Sequence, residues 1–370
     1  MVADLKRLVV KVGSSLLVDA GGAVRRDWLT TLVADIAKRH AAGVQIIVVS
    51  SGAIALGARR LGLAQGGRAS LEDAQAAAAT GQIALAGCWA QLLALHKINA
   101  AQVLVTNEDF EDRRRYLNVT ATLARLLDLG VVPIINENDT VATAEIRVGD
   151  NDRLAERVAQ AAGAHEIVLL SDVDGLYTAD PSRDPSARRI PTVKKVDSSI
   201  FALAGAGSSS GMGSGGMTSK LEAARAANRA GIDLVLASGQ YDHPLARLEA
   251  EGAGTRFLAA AAGASSRKAW LAGRLKIKGH IIVDDGAASA LRNGGVSLLA
   301  AGAVRVAGQF VRGDVVDVVG QAGELIARGL AEYDSTEAEI ICGKKSREIA
   351  EILGYAPRAA MVHCDHMVLL

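Results

Sequence analysis

Aromatic side chains are scarce in this chain: 3 Trp, 5 Tyr and 4 Phe in 370 residues. A core must therefore be built from Ala, Val, Leu and Ile, the palette of helices packed on β-branched strands. Cysteine is scarcer. Cys88, Cys342 and Cys364 are odd in number, far apart and without a C-x-x-C pair, which argues against a disulfide framework and a zinc site. The tail run His363-Cys364-Asp365-His366 lacks the ligand spacing usual for metal sites, so no metal is expected there. Neither sign of charge is in excess: 41 Lys and Arg stand against 40 Asp and Glu. No global field draws nucleic acid or an anionic membrane, and any phosphate recognition must be local. The longest nearly apolar run, Ile83 to Leu95, contains Gln91 and falls short of the ~20 residues a spanning helix needs. The opening MVADLKRLVVKVGSS meets Lys11 with no cleavage-like site, so neither a signal peptide nor a membrane span is expected, and the location is expected to be cytoplasmic.

What is present is hydrophobic sequence in short blocks. Half the residues are hydrophobic and 22% are charged, far from the composition of disorder, and the length suggests two or three domains. Apolar runs at Leu8–Val10, Val44–Val49, Ala101–Thr106, Val131–Ile135, Ile167–Leu170 and Ile232–Ala237 alternate with helical periodicity such as Leu29, Leu32, Val33 and Ile36. Runs that are apolar on both faces and separated by helices indicate an α/β fold, a mostly parallel sheet sandwiched by helices. In such a sheet ligands bind beyond the carboxyl ends of the strands. After an Ala/Gly/Ser stretch near 259–268 the pattern shortens to Gly-punctuated strands at Ile281–Val283, Val304–Val306, Val315–Val319 and Leu325–Ala327, with a short helix near Ala287–Leu291. These features predict a small β-barrel-like domain. The expected domains are 1–260 and 276–356.

Four loops could carry chemistry. Lys11-Val12-Gly13-Ser14-Ser15 ends the first strand with a cation and a close-approach glycine; an ordinary turn beside a surface lysine is the plainer reading. Gly211 to Lys220 runs into a helix and is either a flexible linker or a phosphate loop in which Lys220 and free amides face a γ-phosphate. Asn136-Glu137-Asn138-Asp139 and Gly149-Asp150-Asn151-Asp152 offer acids and amides suited to an ammonium and a carboxylate. Helix capping accounts for Asp150 and Asp152, but not for the density at 136–139. Ser171-Asp172-Val173-Asp174-Gly175 lacks the further acids of a calcium loop and reads as a nucleotide contact. None of the 7 His falls in these loops, and no G-x-S-x-G elbow exists. Phosphoryl transfer to a carboxylate needs no base, because the acceptor is already ionised near neutral pH.

Taken together, Lys11-Val-Gly-Ser-Ser, Val49-Ser-Ser-Gly-Ala-Ile, Ile135-Asn-Glu-Asn-Asp-Thr-Val-Ala-Thr, Val148-Gly-Asp-Asn-Asp, Leu170-Ser-Asp-Val-Asp-Gly-Leu-Tyr and Gly213-Ser-Gly-Gly-Met-Thr-Ser-Lys220 resemble the glutamate 5-kinase family of the amino-acid kinase superfamily. The segment with Val283-Asp-Asp-Gly-Ala and Phe310-x-x-Gly-Asp-Val-Val resembles a PUA domain. The resemblance implies the amino-acid kinase fold and transfer of phosphate from ATP, with Mg2+, to the γ-carboxylate of L-glutamate, the first step of proline synthesis. It also implies inhibition by proline, a homo-oligomer (dimer or tetramer) and coupling to the next enzyme of that route. By motif, Lys11 and Lys220 contact the transferring group. Ser51, Asn136, Asp139, Asp150 and Asn151 hold glutamate. Lys11, Gly13, Ser171, Asp172, Ser214, Gly215, Gly216, Met217, Thr218, Ser219 and Lys220 hold ATP, and no protein ligand is assigned to the metal. The alternatives are a kinase for N-acetylglutamate or aspartate, and a non-catalytic RNA-binding PUA protein. Residues 274–356 hold 10 Lys and Arg against 11 Asp and Glu, which argues against RNA as a partner.

Overall fold

A computed structural model describes residues 6–19, 21–141, 151–205, 216–260, 277–358 and 360–370. The expected site residues Asp150, Ser214 and Gly215 lie outside them. The chain forms two compact units, 1–111 with 118–263, and 112–117 with 264–370.

The first unit is built on an eight-stranded sheet in the order β3-β4-β2-β1-β5-β7-β8-β6. Its strands are β1 (Arg7–Val12), β2 (Gln45–Ser50), β3 (Ala100–Val105), β4 (Val132–Glu137), β5 (Glu166–Ser171), β6 (Thr192–Val193), β7 (Asp233–Ser238) and β8 (Thr255–Phe257). The first six in that order, β3 through β7, are all parallel, and β8 turns antiparallel to β7. Central strands are buried on both faces, which is why they read as unbroken apolar runs.

The longer helices are α1 (Arg26–Ala41), α2 (Ala53–Leu61), α3 (Leu71–Ala94), α4 (Arg113–Asp128), α5 (Asn151–Ala162), α6 (Met217–Ala230) and α7 (Pro244–Glu251). Trp28, Leu32 and Ile36 of α1, Leu85 and Trp89 of α3 and Leu245 of α7 share one cluster with Val10 and Val48. Leu154 and Val158 of α5, Leu221 and Ala224 of α6 and Leu123 of α4 share another with Val9 and Val49. Alternate residues of the same strands thus face two helical layers, giving the expected sandwich.

The strands run further than the apolar runs. Lys11, Asn136 and Ser171 are strand residues, and each is buried. A polar residue survives inside such a strand only where its side chain is paired, which directs attention to these three positions. Helix α3 is likewise longer than the run Ile83–Leu95, because the Ala-rich segment from Leu71 continues it. By length and composition α3 could cross a membrane, yet half of its most apolar window is buried, and Leu85, Trp89 and Leu93 lie in the core. It is a core helix.

Helices α2 and α3 meet at two glycines. A Cβ at Gly57 would fall 1.7 Å from the Ala77 carbonyl oxygen, and one at Gly81 would fall 1.8 Å from that of Ala53. No side chain fits at either position, so the backbones touch and fix the rotation of α3.

The second unit carries a mixed sheet ordered β10-β9-β11-β12-β13. Its strands are β9 (Gly279–Val283), β10 (Ala303–Gly308), β11 (Val315–Gly320), β12 (Leu325–Leu330) and β13 (Met367–Leu369). Helix α8 (Asp285–Arg292) confirms the expected short helix, while α9 (Ser335–Ile341), α10 (Ser346–Leu353) and β13 add to the expectation. Asp334 caps α9 by accepting from Glu337 N–H, a start signal of the usual kind.

Candidate active site

The residues at the carboxyl end of β1 organise the site. Lys11 sits one residue before the end of β1, level with Val49 of β2 and Leu169 of β5. Its Nζ lies 2.6 Å from Oδ1 of Asp152, in the first turn of α5. Lys220, in the first turn of α6, places its Nζ 3.4 Å from Oδ2 of the same carboxylate. Asp152 is 1% exposed, and the two lysines are 8% and 7% exposed. Burial by itself would raise this carboxyl, but the ammonium groups of Lys11 and Lys220 and their hydrogen bonds prevail and hold it below the ordinary carboxylate range.

This arrangement has a direct electrostatic meaning. Two ammonium groups near one another in a low-dielectric site repel, and one carboxylate between them offsets that repulsion. A net charge of about +1 remains, at the N-termini of two helices whose free amides add partial positive charge. Asp152 was expected to act as a helix cap. The geometry assigns it instead as the residue that positions both lysines. The signal was present in the Gly-Asp-Asn-Asp run, but the partners are 141 and 68 positions away in the chain.

A second cluster lies at the ends of β2 and β4. Asn151 Nδ2 donates to Ser51 Oγ (2.6 Å), to Asn136 Oδ1 (3.1 Å) and to the Ser50 carbonyl (3.1 Å). Asn136 Nδ2 in turn donates to Gln82 Oε1 (2.8 Å) on α3. Ser50 is fixed from behind, its Oγ accepting from Trp89 Nε1 (3.1 Å). Three of the expected glutamate residues, Ser51, Asn136 and Asn151, are therefore brought together. Sequence reasoning missed Gln82, which sits within a helix without any motif. Gly52 follows Ser51 with φ of +99°, and this left-handed turn carries the chain from β2 into α2. Asp139 lies on the loop after β4, half-buried. Burial pushes its carboxyl up to about 6, with Arg68 pulling the other way.

The expected nucleotide residues fall at the ends of β5 and β7 and at the start of α6. Ser171 is buried as the last residue of β5, and its hydroxyl donates to Asp172 Oδ1 (2.9 Å). Gly13 N–H points at the Leu170 carbonyl (3.4 Å), and Gly239 N–H donates to that of Ser171 (2.8 Å). Gln240 Nε2 donates to the Asp172 carbonyl (2.8 Å). Beyond these strand ends lies a polar cavity of about 350 Å³, lined in part by Asp172, Asp174, Gln240, Tyr241 and Arg247. Gly216, Met217, Thr218, Ser219 and Lys220 form the approach to α6 and its first turn, with Ser219 N–H donating to the Gly216 carbonyl (3.0 Å).

This fold with these strand-end sites has known relatives, which first define a class. A sequence model described as the amino acid kinase family matches residues 6–238, and one for the PUA domain matches 279–353. A carbamate kinase from Giardia lamblia, solved with AMP-PNP bound, shares the fold over 69% of this chain and 99% of its own, with TM-score 0.50 at 16% identity. Full-length similarity then narrows the class. The glutamate 5-kinase of Sphingopyxis alaskensis is 61% identical over 100% of this chain and 98% of its own length. That of Zymomonas mobilis is 60% identical over 98% and 91%. The chain belongs to the glutamate 5-kinase family.

Proposed function

We propose that the protein transfers the γ-phosphoryl group of ATP to the side-chain carboxylate of L-glutamate, giving L-glutamyl 5-phosphate at the start of proline synthesis. The observation that carries this reading is the Lys11–Asp152–Lys220 cluster, set between the amide cluster at the β2 and β4 ends and the cavity at the β5 and β7 ends.

The acceptor carboxylate is ionised near neutral pH, so attack on phosphorus needs correct placement and charge stabilisation, not a base. Ser51, Asn136 and Asn151 orient glutamate, and Asp139 with Asp150 receives its ammonium group. Lys11 and Lys220 stabilise the negative charge spread over the transferring group and the leaving phosphate. Asp152 keeps both ammonium groups aimed. Gly13, Ser171, Asp172 and residues 214–220 hold ATP, and Gln240 with Asp174 shapes the cavity for its ribose and base. Both Asp152 oxygens face lysines, so this carboxylate would not hold a metal, and Mg2+ would be the counterion of the ATP phosphates. When bound it neutralises phosphate charge.

Trapping the product with hydroxylamine tests the reading. L-glutamate with ATP and Mg2+ yields the γ-hydroxamate, and added proline lowers the yield. A preference for N-acetyl-L-glutamate or L-aspartate replaces this reading with the other acid-kinase reading. Size measurement in solution checks the homo-oligomer that the family resemblance implies.

A further inference from the structure

Gln82 sits in the amide cluster with half of its own amide unused. It is 7% exposed, its Oε1 accepts from Asn136 Nδ2 (2.8 Å), and among the described residues its Nε2 has no hydrogen-bond partner. A buried donor left without an acceptor costs free energy that a ligand oxygen removes. Building on glutamate as the substrate, we propose that Gln82 Nε2 donates to the α-carboxylate of the amino acid and so selects substrates that carry one.

Neighbouring groups fix the identity of the free atom. The Ser50 carbonyl can only accept, so the Asn151 side chain presents its nitrogen there and to Asn136 (3.1 Å each). Asn136 must then meet Asn151 with Oδ1 and Gln82 with Nδ2. That turns Gln82 Oε1 towards Asn136 and leaves Nε2 as the open end. An amide nitrogen suits a carboxylate or carbonyl oxygen and offers nothing to an ammonium group.

Position decides which carboxylate it meets. Lys11 and Lys220 hold the reacting end beside Asp152. Val49 is level with Lys11 on one side and with Ile135 on the other, so Lys11 and the residue before Asn136 stand two strand spacings apart, about 10 Å. Gln82 meets the side of the Asn136 amide that faces away from Asn151, the neighbour of Asp152. A five-carbon dicarboxylate with a hydrogen bond at each end bridges such a gap. Helix α3 carries Gln82 and Trp89 on one face, and Trp89 Nε1 reaches Ser50 Oγ (3.1 Å) at the end of β2. Because α3 leads the chain back to the start of β3, Gln82 stands about two turns nearer the carboxyl ends of the strands.

Steady-state kinetics of the full chain, read by hydroxylamine trapping, test the assignment. Lack of L-glutamate turnover by the parent protein overturns glutamate as the substrate, and with it this role; the variants test Gln82 separately. Gln82→Glu keeps an oxygen towards Asn136 and replaces only the free nitrogen with an acceptor. Its L-glutamate KM should rise about tenfold or more, with a much smaller fall in kcat and no change in the ATP KM. Gln82→Met, similar in volume and uncharged, serves if the buried carboxylate prevents folding. With it, 4-aminobutyrate, which has the reacting carboxylate and the ammonium but no α-carboxylate, separates contact from support. Gln82→Met should raise the L-glutamate KM about tenfold while the inhibition constant of 4-aminobutyrate stays within about twofold. Equal losses for both compounds would reduce Gln82 to a prop for Asn136. That result, or an unmoved L-glutamate KM in either variant, would overturn the assignment.

Discussion

At the residue scale, one carboxylate governs two cations. With the roles proposed for Lys11 and Lys220, replacing either with Ala should lower kcat by about 10²–10³ with a smaller change in the glutamate KM. Steady-state kinetics with both substrates varied reads the split. Asp152→Asn keeps the shape but leaves two buried ammonium groups facing each other. Its kcat should fall comparably although it touches no substrate, and Asp152→Glu should recover part of the loss where Asp152→Asn does not. Asp139 adds a pH signature. A carboxyl titrating at about 6 is increasingly neutral below that pH and loses its attraction for an ammonium group. The glutamate KM should therefore rise as pH falls through about 6, whereas Asp139→Asn should show a high KM without this rise.

At the element scale, the joint between α1 and α7 shapes the cavity wall. Asp35 is buried on α1, and its Oδ2 accepts from Leu245 and Ala246 N–H (3.0 Å each) at the start of α7. Its Oδ1 meets His243 Nδ1 at 2.9 Å, and His243 itself takes φ of +53° to begin the helix. Asp35→Ala strands those amides, and thermal or urea unfolding should show a loss of about 1–3 kcal/mol. Nothing in the sequence marks Asp35, since its partners lie 208 to 211 positions further on. The strands and helices were legible because apolar runs and 3.6-residue periodicity are local signals. Lys11, Ser51 and Asn136 were legible because strand ends are where a parallel sheet places ligands. Asp152 and Gln82 were not, because their roles exist only once α5, α6 and α3 are packed.

At the scale of the whole chain, balanced charge becomes a statement about the second unit. Phe310 and Tyr333 are in its core, and Tyr355, the exposed aromatic between 274 and 356, donates its hydroxyl to Glu337 (2.8 Å). With so little stacking surface and no basic excess, filter-retention at ~0.15 M salt should show no RNA binding beyond that of a neutral control protein. The amide relay carries a different consequence. It runs from α3 through β4 to α5 and β2: Asn151 donates both to Ser51 and to Asn136, and Asn136 donates on to Gln82. Turning the Asn136 amide over would set oxygen against oxygen at Gln82 and nitrogen against nitrogen at Asn151. The Asn151–Asn136–Gln82 arm therefore has a fixed sense, and it ends beside the glycine contact at Gly81. The contact that sets the rotation of α3 thus also sets which way the Asn136 amide faces.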